Sequence, residues 1–135
     1  MPERDEHIKK AERNLKLSEE GIFNPDKTKY LDWYVTILFY IALHYIDSVL
    51  ATYSSSWPET MTHPREHKRR DNLVRTVSPL STVAVEYFML KEASRRARYR
   101  TDYDTGDPRA RKEAIKLIFC VDMIKQTISK SCPTK

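Results

Sequence analysis

The chain has 135 residues, a net charge of +5 and 32% charged residues, and it contains two glycines. This length suits one domain with one hydrophobic core, and we interpret residues 1–135 as a single helical domain. So few glycines disfavour a sheet protein, whose turns use glycine, and favour long helices joined by short loops. The moderate positive charge permits a polyanionic partner without requiring one.

Five helical segments can be predicted along the chain. Apolar residues recur at helical spacing in each of them. The predicted ranges are 4–22, 26–53, 64–77, 79–100 and 108–130. Residues 131–135 are expected to form a frayed tail. Four long helices and one short helix with short connections predict an all-α fold, an antiparallel up-and-down helical bundle.

Local signals predict where two of the helices begin. The Asn24-Pro25 pair should separate the first helix from the second, and Asp26 should cap the second. Asp107 followed by Pro108 is a strong combination of N-cap and first helical residue, so the last helix should begin there. In the fourth and fifth helices, the stripes expected to face the core are Leu80, Val83, Tyr87, Leu90, Ser94 and Ala97, and Ala114, Leu117, Val121, Ile124 and Ile128.

The second helix contains the most apolar run of the chain, residues 33–46. This run is shorter than the ~20 residues needed to span a bilayer, so we expect a core helix and no membrane association. Cys120 and Cys132 would lie about 18 Å apart on a continuous helix, too far for a disulfide. Reduced thiols and an N-terminal segment too charged for a signal peptide favour a cytoplasmic protein.

A histidine lies inside this apolar helix. We expect the ring of His44 to be buried there and to need hydrogen-bonding partners. Tyr40, one turn before it, and Asp47, one turn after it, could supply them, with Asp47 fixing the tautomer of the ring. The alternative is a histidine that is simply hydrogen-bonded within the core.

The third helix supplies a second polar group. His63, His67 and Arg70 share one helical face. Histidines four residues apart can chelate a metal, but no acidic ligand, cysteine or HExxH pattern accompanies them, so we predict no metal and no cofactor. Arg70 could bind a phosphate and His67 could exchange a proton beside it. The alternative is an exposed basic helix end.

The end of the fourth helix interleaves arginine with tyrosine, in the segment SRRARYR at 94–100. Arg95 and Arg98 could hold phosphates while Tyr99 stacks on a base. Fourteen Lys and Arg against nine Asp and Glu lie within residues 59–116, so the positive charge is concentrated in this half of the chain. The alternative is an ordinary helix end with arginine stems packed over a tyrosine.

Three segments in order resemble the HEPN superfamily, more closely its small stand-alone members: FYIALHYIDSVLA at 39–51, HPREHKRRDNLV at 63–74 and SRRARYRTDY at 94–103. The resemblance covers roughly residues 28–128. It implies an antiparallel helical bundle that commonly dimerises. Many members are metal-independent ribonucleases, often toxins paired with a nucleotidyltransferase antitoxin, and others bind RNA or nucleotides without catalysis. Catalytic members carry an arginine four to six residues before a histidine, a spacing this sequence lacks.

Three functions are therefore open. The first is an RNA- or nucleotide-binding module that is expected to form a homodimer. It would belong to a toxin–antitoxin or defence system with a nucleotidyltransferase-type partner. The second is a metal-independent endoribonuclease with an atypical site, and the third is a protein-interaction domain without catalysis. The candidate catalytic residues are His67 and His44. The candidate phosphate- or nucleic-acid-binding residues are Arg70, Arg98, Tyr99 and Arg95, and Tyr40 and Asp47 are supporting residues. Of these, the resemblance implies roles for His44, His67, Arg70, Arg98 and Tyr99.

Overall fold

The computed structural model describes residues 2–52, 67–100 and 107–131, and within these ranges the regular secondary structure is entirely helical, without a strand. The prediction of an all-α protein is confirmed. The α-helices are α1 (Pro2–Ser18), α2 (Leu31–Thr52), α3 (His67–Thr76), α4 (Ala84–Tyr99) and α5 (Pro108–Ser131). Two short 3-10 helices cover Gly21–Phe23 and Leu80–Val83.

Helix α2 lies at the centre of the helical bundle. It packs against α1, α4 and α5, and α1 makes the most extensive of these contacts. Many of its large apolar side chains, among them Leu38, Ile41 and Ile46, are fully buried. Because apolar side chains occupy almost every position of this helix, several faces can be covered at once. The expectation of a wrapped core helix is confirmed.

By length and composition, α2 could also cross a membrane, and it is the one such helix in the described ranges. Its mean hydropathy reaches 1.6 over an 18-residue window, and 72% of that window is buried inside the protein. The core helix of a folded domain has the same composition, because both environments exclude water. The burial of α2 against its neighbours accounts for its apolar sequence.

In the last two helices, the residues whose spacing predicted a core-facing stripe do face the core. Every residue predicted to face the core in 80–97 and 114–128 is buried. The carboxylate of Asp107 accepts a hydrogen bond of 2.9 Å from the backbone N–H of Arg109, which confirms it as the N-cap of α5. Cys120 is a buried free thiol, whereas Cys132 lies outside the described residues.

Three predicted boundaries were wrong. Helix α1 ends at Ser18, before a 3-10 turn, and α2 begins at Leu31, five residues after the expected cap. The reason is a local turn: the hydroxyl of Thr28 donates to the carbonyl of Ile22 at 2.6 Å and accepts from the N–H of Tyr30 at 3.0 Å. Helix α4 is likewise preceded by a 3-10 turn at 80–83. The predicted residues before 67 in the third helix lie outside the described part of the chain.

Candidate nucleic-acid interface

One stripe of the central helix faces outward. Its residues, at spacings of four and three, are Trp33, Ile37, Tyr40, His44 and Asp47. Trp33 is 59% exposed, and the others are exposed or half-buried, whereas most residues between them are buried. The expectation that His44 is buried was wrong in part: its side chain is half-buried, because it lies on this less covered side of the helix. This stripe carries three of the predicted site residues.

His44 pairs with a residue that sequence reasoning did not select. The Nδ1 atoms of His44 and His7 lie 3.3 Å apart, and the two rings stack with centroids separated by 5.5 Å. The partner belongs to α1, 37 residues earlier in the chain. A hydrogen bond at this distance requires one ring to donate and the other to accept, so the tautomers of the two rings are coupled. No local pattern around His7 indicates such a contact.

The environment of His44 favours a neutral ring. Burial lowers its pKa from the ordinary value of 6.5, and the charge of His7 lowers it further. Lys10 and Arg70 act in the same direction, while Asp47 opposes them. The imidazole of His44 is thus able to accept a proton near neutral pH.

Asp47 and Arg70 form a two-pronged ion pair. The Nε and Nη2 atoms of Arg70 donate to the two carboxylate oxygens of Asp47 at 2.9 and 3.2 Å, and each side chain is 12% exposed. This pairing joins α3 to α2, and it occupies the guanidinium that was predicted to hold a phosphate. It also gives Asp47 a partner other than the imidazole of His44. A phosphate would have to compete with Asp47 for the same N–H groups.

A buried tyrosine lies close to the ion pair. Tyr87 of α4 is fully buried, and its hydroxyl has no hydrogen-bond partner among the residues described. Burial raises its pKa, and the charges of Arg70 and Asp47 act on it as well. Tyr87 therefore stays protonated as a neutral phenol.

Arg98 is surrounded by aromatic rings. Its guanidinium carbon lies 4.9 Å from the ring centre of Tyr99 and 5.9 Å from those of Phe39 and Tyr40. Its polar contacts are the backbone oxygen of Ser94 and the hydroxyl of Tyr40, both at 3.4 Å. No carboxylate lies within ion-pair distance of Arg98 in the described ranges. Among the described residues, its positive charge thus has no carboxylate partner and lies on an aromatic surface.

The same surface extends to the tryptophan of α2. Trp33 and Arg98 line one cavity of about 270 Å³, together with Asp32, Thr36 and Ala97. Tyr99, which also contacts the guanidinium of Arg98, is 70% exposed. Exposed aromatic faces beside a cation are what base stacking and phosphate contact require.

The remaining predicted residues are placed as follows. Arg95 pairs with Glu92, three residues before it on α4, with an N–O distance of 2.6 Å. His67 is the first residue of α3, and its side chain lies outside the described part of the structure, as does the whole of His63. No cluster of three or more potential metal-ligating side chains is present where side chains are described.

Along α2, the three predicted residues of the stripe each contact a different element. Tyr40 contacts Arg98 of α4, His44 contacts His7 of α1, and Asp47 contacts Arg70 of α3. The first and last of these positions are seven residues apart, or about 10 Å along the helix axis. The structure therefore gathers Tyr40, His44, Asp47, Arg70 and Arg98 along a single edge of the bundle.

Comparisons with protein-family models, with curated proteins and with solved structures find no match to this chain.

Proposed function

We propose that this protein is an RNA- or nucleotide-binding module whose binding surface is the aromatic and basic edge formed by α2 and the end of α4. The observation that carries the proposal is the position of Arg98, which has no carboxylate partner in the described ranges and lies among aromatic rings. Two largely exposed aromatic side chains lie near it: Trp33 lines the same cavity, and the ring of Tyr99 contacts the guanidinium. Stacking on such rings accepts any base, so the surface suits single-stranded RNA without strong sequence preference.

The electrostatics of the edge agree with a phosphate ligand. Arg98 keeps its charge available, whereas Arg70 and Arg95 are already engaged by Asp47 and Glu92. We therefore assign the first phosphate contact to Arg98 and secondary contacts to Arg95, whose exposed pair with Glu92 costs little to exchange. Arg70 is paired with Asp47 and would bind phosphate directly only after releasing it.

Fluorescence anisotropy with a labelled single-stranded RNA tests this function. Binding should be strongest at low salt and weaken as salt is added, because the protein displaces counterions from the phosphates. Arg98→Ala should weaken binding, whereas Arg13→Ala should not, since Arg13 is an exposed arginine of α1 that carries the same charge. Equal effects of the two substitutions would indicate only a response to net charge and would refute the assigned surface.

A second candidate function is metal-independent RNA cleavage, and the contact between His7 and His44 favours it. Cleavage by the ribose 2′-OH needs a base that takes its proton and an acid that protonates the leaving 5′-oxygen, and two adjacent imidazoles could share these roles. The lowered pKa of His44 suits it as the base. In the sequence-based hypothesis, His67 performs proton transfer with His44. Cleavage that survives EDTA and is lost in both His44→Gln and His7→Gln would establish the activity and assign proton transfer to His44 and His7. Loss of cleavage in His67→Ala, with His7→Gln still active, would assign proton transfer to the predicted pair of His44 and His67.

The finer architecture and the partners are part of the same proposal. We propose that the helices form an antiparallel up-and-down bundle of four long helices and one short helix, in the manner of small HEPN proteins. From that resemblance we also propose a cytoplasmic homodimer and a nucleotidyltransferase-type antitoxin as a partner protein. The third function, a protein-interaction domain without a nucleic-acid ligand, predicts no RNA binding in the anisotropy experiment. Light scattering of the purified chain tests the dimer directly.

A further inference from the structure

A second surface lies on α4 and α5, with the last residues of α3 at one end. It is an open groove of about 1000 Å³. Its apolar floor contains Val85, Phe88 and Met89 of α4 and Leu117 of α5, and Val85 and Met89 are among the exposed large apolar side chains of the protein. An apolar surface of this kind, bordered by charged residues, is typical of a binding site. It shares no lining residue with the aromatic edge around Arg98.

The rim of the groove is basic. Five of its lining residues are cationic and two are acidic, and both acidic residues are already paired within the protein. The cationic residues are Arg75, Arg96, Arg109, Lys112 and Lys116. Glu92 binds Arg95, and Glu113 binds Arg96. Lys112 and Lys116 have no carboxylate within 4.0 Å in the described ranges, so the rim presents uncompensated positive charge next to an apolar floor.

The shape of the groove favours a helix over a small molecule. From Val85 to Arg96 it follows α4 for eleven residues, or about 16 Å, which is the length of three helical turns. It is open to solvent along this length, whereas small-molecule pockets enclose most of the ligand surface. A helix can leave one face in water and place residues at i, i+3, i+4 and i+7 in the groove.

We propose that the groove between α4 and α5 docks an acidic amphipathic helix of a partner protein. The apolar stripe of that helix contacts Val85, Phe88 and Met89, and its flanking carboxylates face Lys112 and Lys116. The charge of the rim selects acidic partners over basic ones, and it speeds their encounter with the groove. The groove and the edge around Arg98 use different side chains of α4, and the pair of Glu92 and Arg95 links them, because Glu92 lines the groove.

The test uses synthetic helical peptides of about twelve residues, the length that matches the groove. One peptide carries leucines on one face and glutamates on its flanks. A second has the same composition in scrambled order, and a third replaces each glutamate by lysine. Isothermal titration calorimetry with the full chain should show binding of the first peptide, with a dissociation constant at least about tenfold lower than for either control, a difference of about 1.4 kcal/mol.

Matched variants locate the binding. Met89→Asp should weaken the peptide at least about tenfold, whereas Met123→Asp should not, since Met123 is equally exposed, at 48% against 52%, but does not line the groove. Lys112→Glu should weaken binding and reduce its salt dependence, and Lys125→Glu is its control. Both test positions are on the surface, so circular dichroism should show unchanged helix content.

Several outcomes would overturn the proposal. Equal binding of the scrambled peptide, or binding that Met89→Asp leaves intact, would exclude the groove. Tight binding of monomeric dodecyl phosphate, with no binding of any peptide, would show that the groove binds a small amphiphile and not a helix. A dimer of the free protein that Met89→Asp dissociates would make the groove an interface between copies of this chain.

Discussion

The ion pair between Asp47 and Arg70 should be among the strongest single side-chain interactions that hold α3 to α2. Its two hydrogen bonds are charge-assisted and its members are only 12% exposed. Removing one partner leaves a mostly buried charge, so Asp47→Ala or Arg70→Ala should each lower the free energy of unfolding by about 3–5 kcal/mol. Removing both should cost less than the sum, and we expect a coupling energy of about 2–3 kcal/mol.

Urea unfolding of the wild type, the two single variants and the double variant measures this coupling. The pair of Glu92 and Arg95 is the internal control, because its side chains are 52% and 60% exposed and its coupling should be about 0.3–0.5 kcal/mol. Equal coupling energies for the pair of Asp47 and Arg70 and for the pair of Glu92 and Arg95 would mean that solvent screens the two pairs equally. That result would refute the view that Arg70 is held away from phosphate by Asp47.

Two further predictions concern groups beside this pair. Burial and neighbouring positive charge lower the pKa of His44 below 6.5, so the unfolded chain binds a proton that the folded chain does not as the pH falls below 6.5. Stability should fall from pH 7.5 to pH 5.5, less steeply in His44→Gln, and equal slopes would show that His44 titrates normally in the folded state. Tyr87→Phe removes a buried hydroxyl without a described partner and should leave the free energy of unfolding unchanged or raise it by up to about 1 kcal/mol. A loss above about 1 kcal/mol in urea unfolding would show that the hydroxyl has a hydrogen-bond partner.

The start of a helix was predictable from capping residues where no other side chain competes for the same backbone groups. Pro108 follows a capping aspartate, and α5 begins there in the structure. The start of α2 was not predictable in the same way, because a threonine hydroxyl competes for the backbone of residues 22–30. Asp26 has the chemistry of a cap, but this turn delays the helix to Leu31.

The site was predictable only in part, for a different reason. Helical spacing correctly grouped Tyr40, His44 and Asp47 on one stripe of α2. In a helix that is apolar almost all round, however, spacing does not indicate which stripe faces water. The contacts with His7 and Arg70 join residues 37 and 23 positions apart, and such pairings depend on how whole helices pack.

The central claim is that the edge around Arg98 stacks and holds single-stranded RNA, and the fluorescence of Trp33 tests it most directly. The chain has two tryptophans, and the other, Trp57, lies outside the described residues. Trp57→Phe therefore leaves Trp33 as the only indole. Titration with a short uridine oligonucleotide should quench its emission, less effectively when salt is added or when Arg98→Ala is introduced. Emission that RNA leaves unchanged, or quenching insensitive to both salt and Arg98→Ala, would contradict the claim.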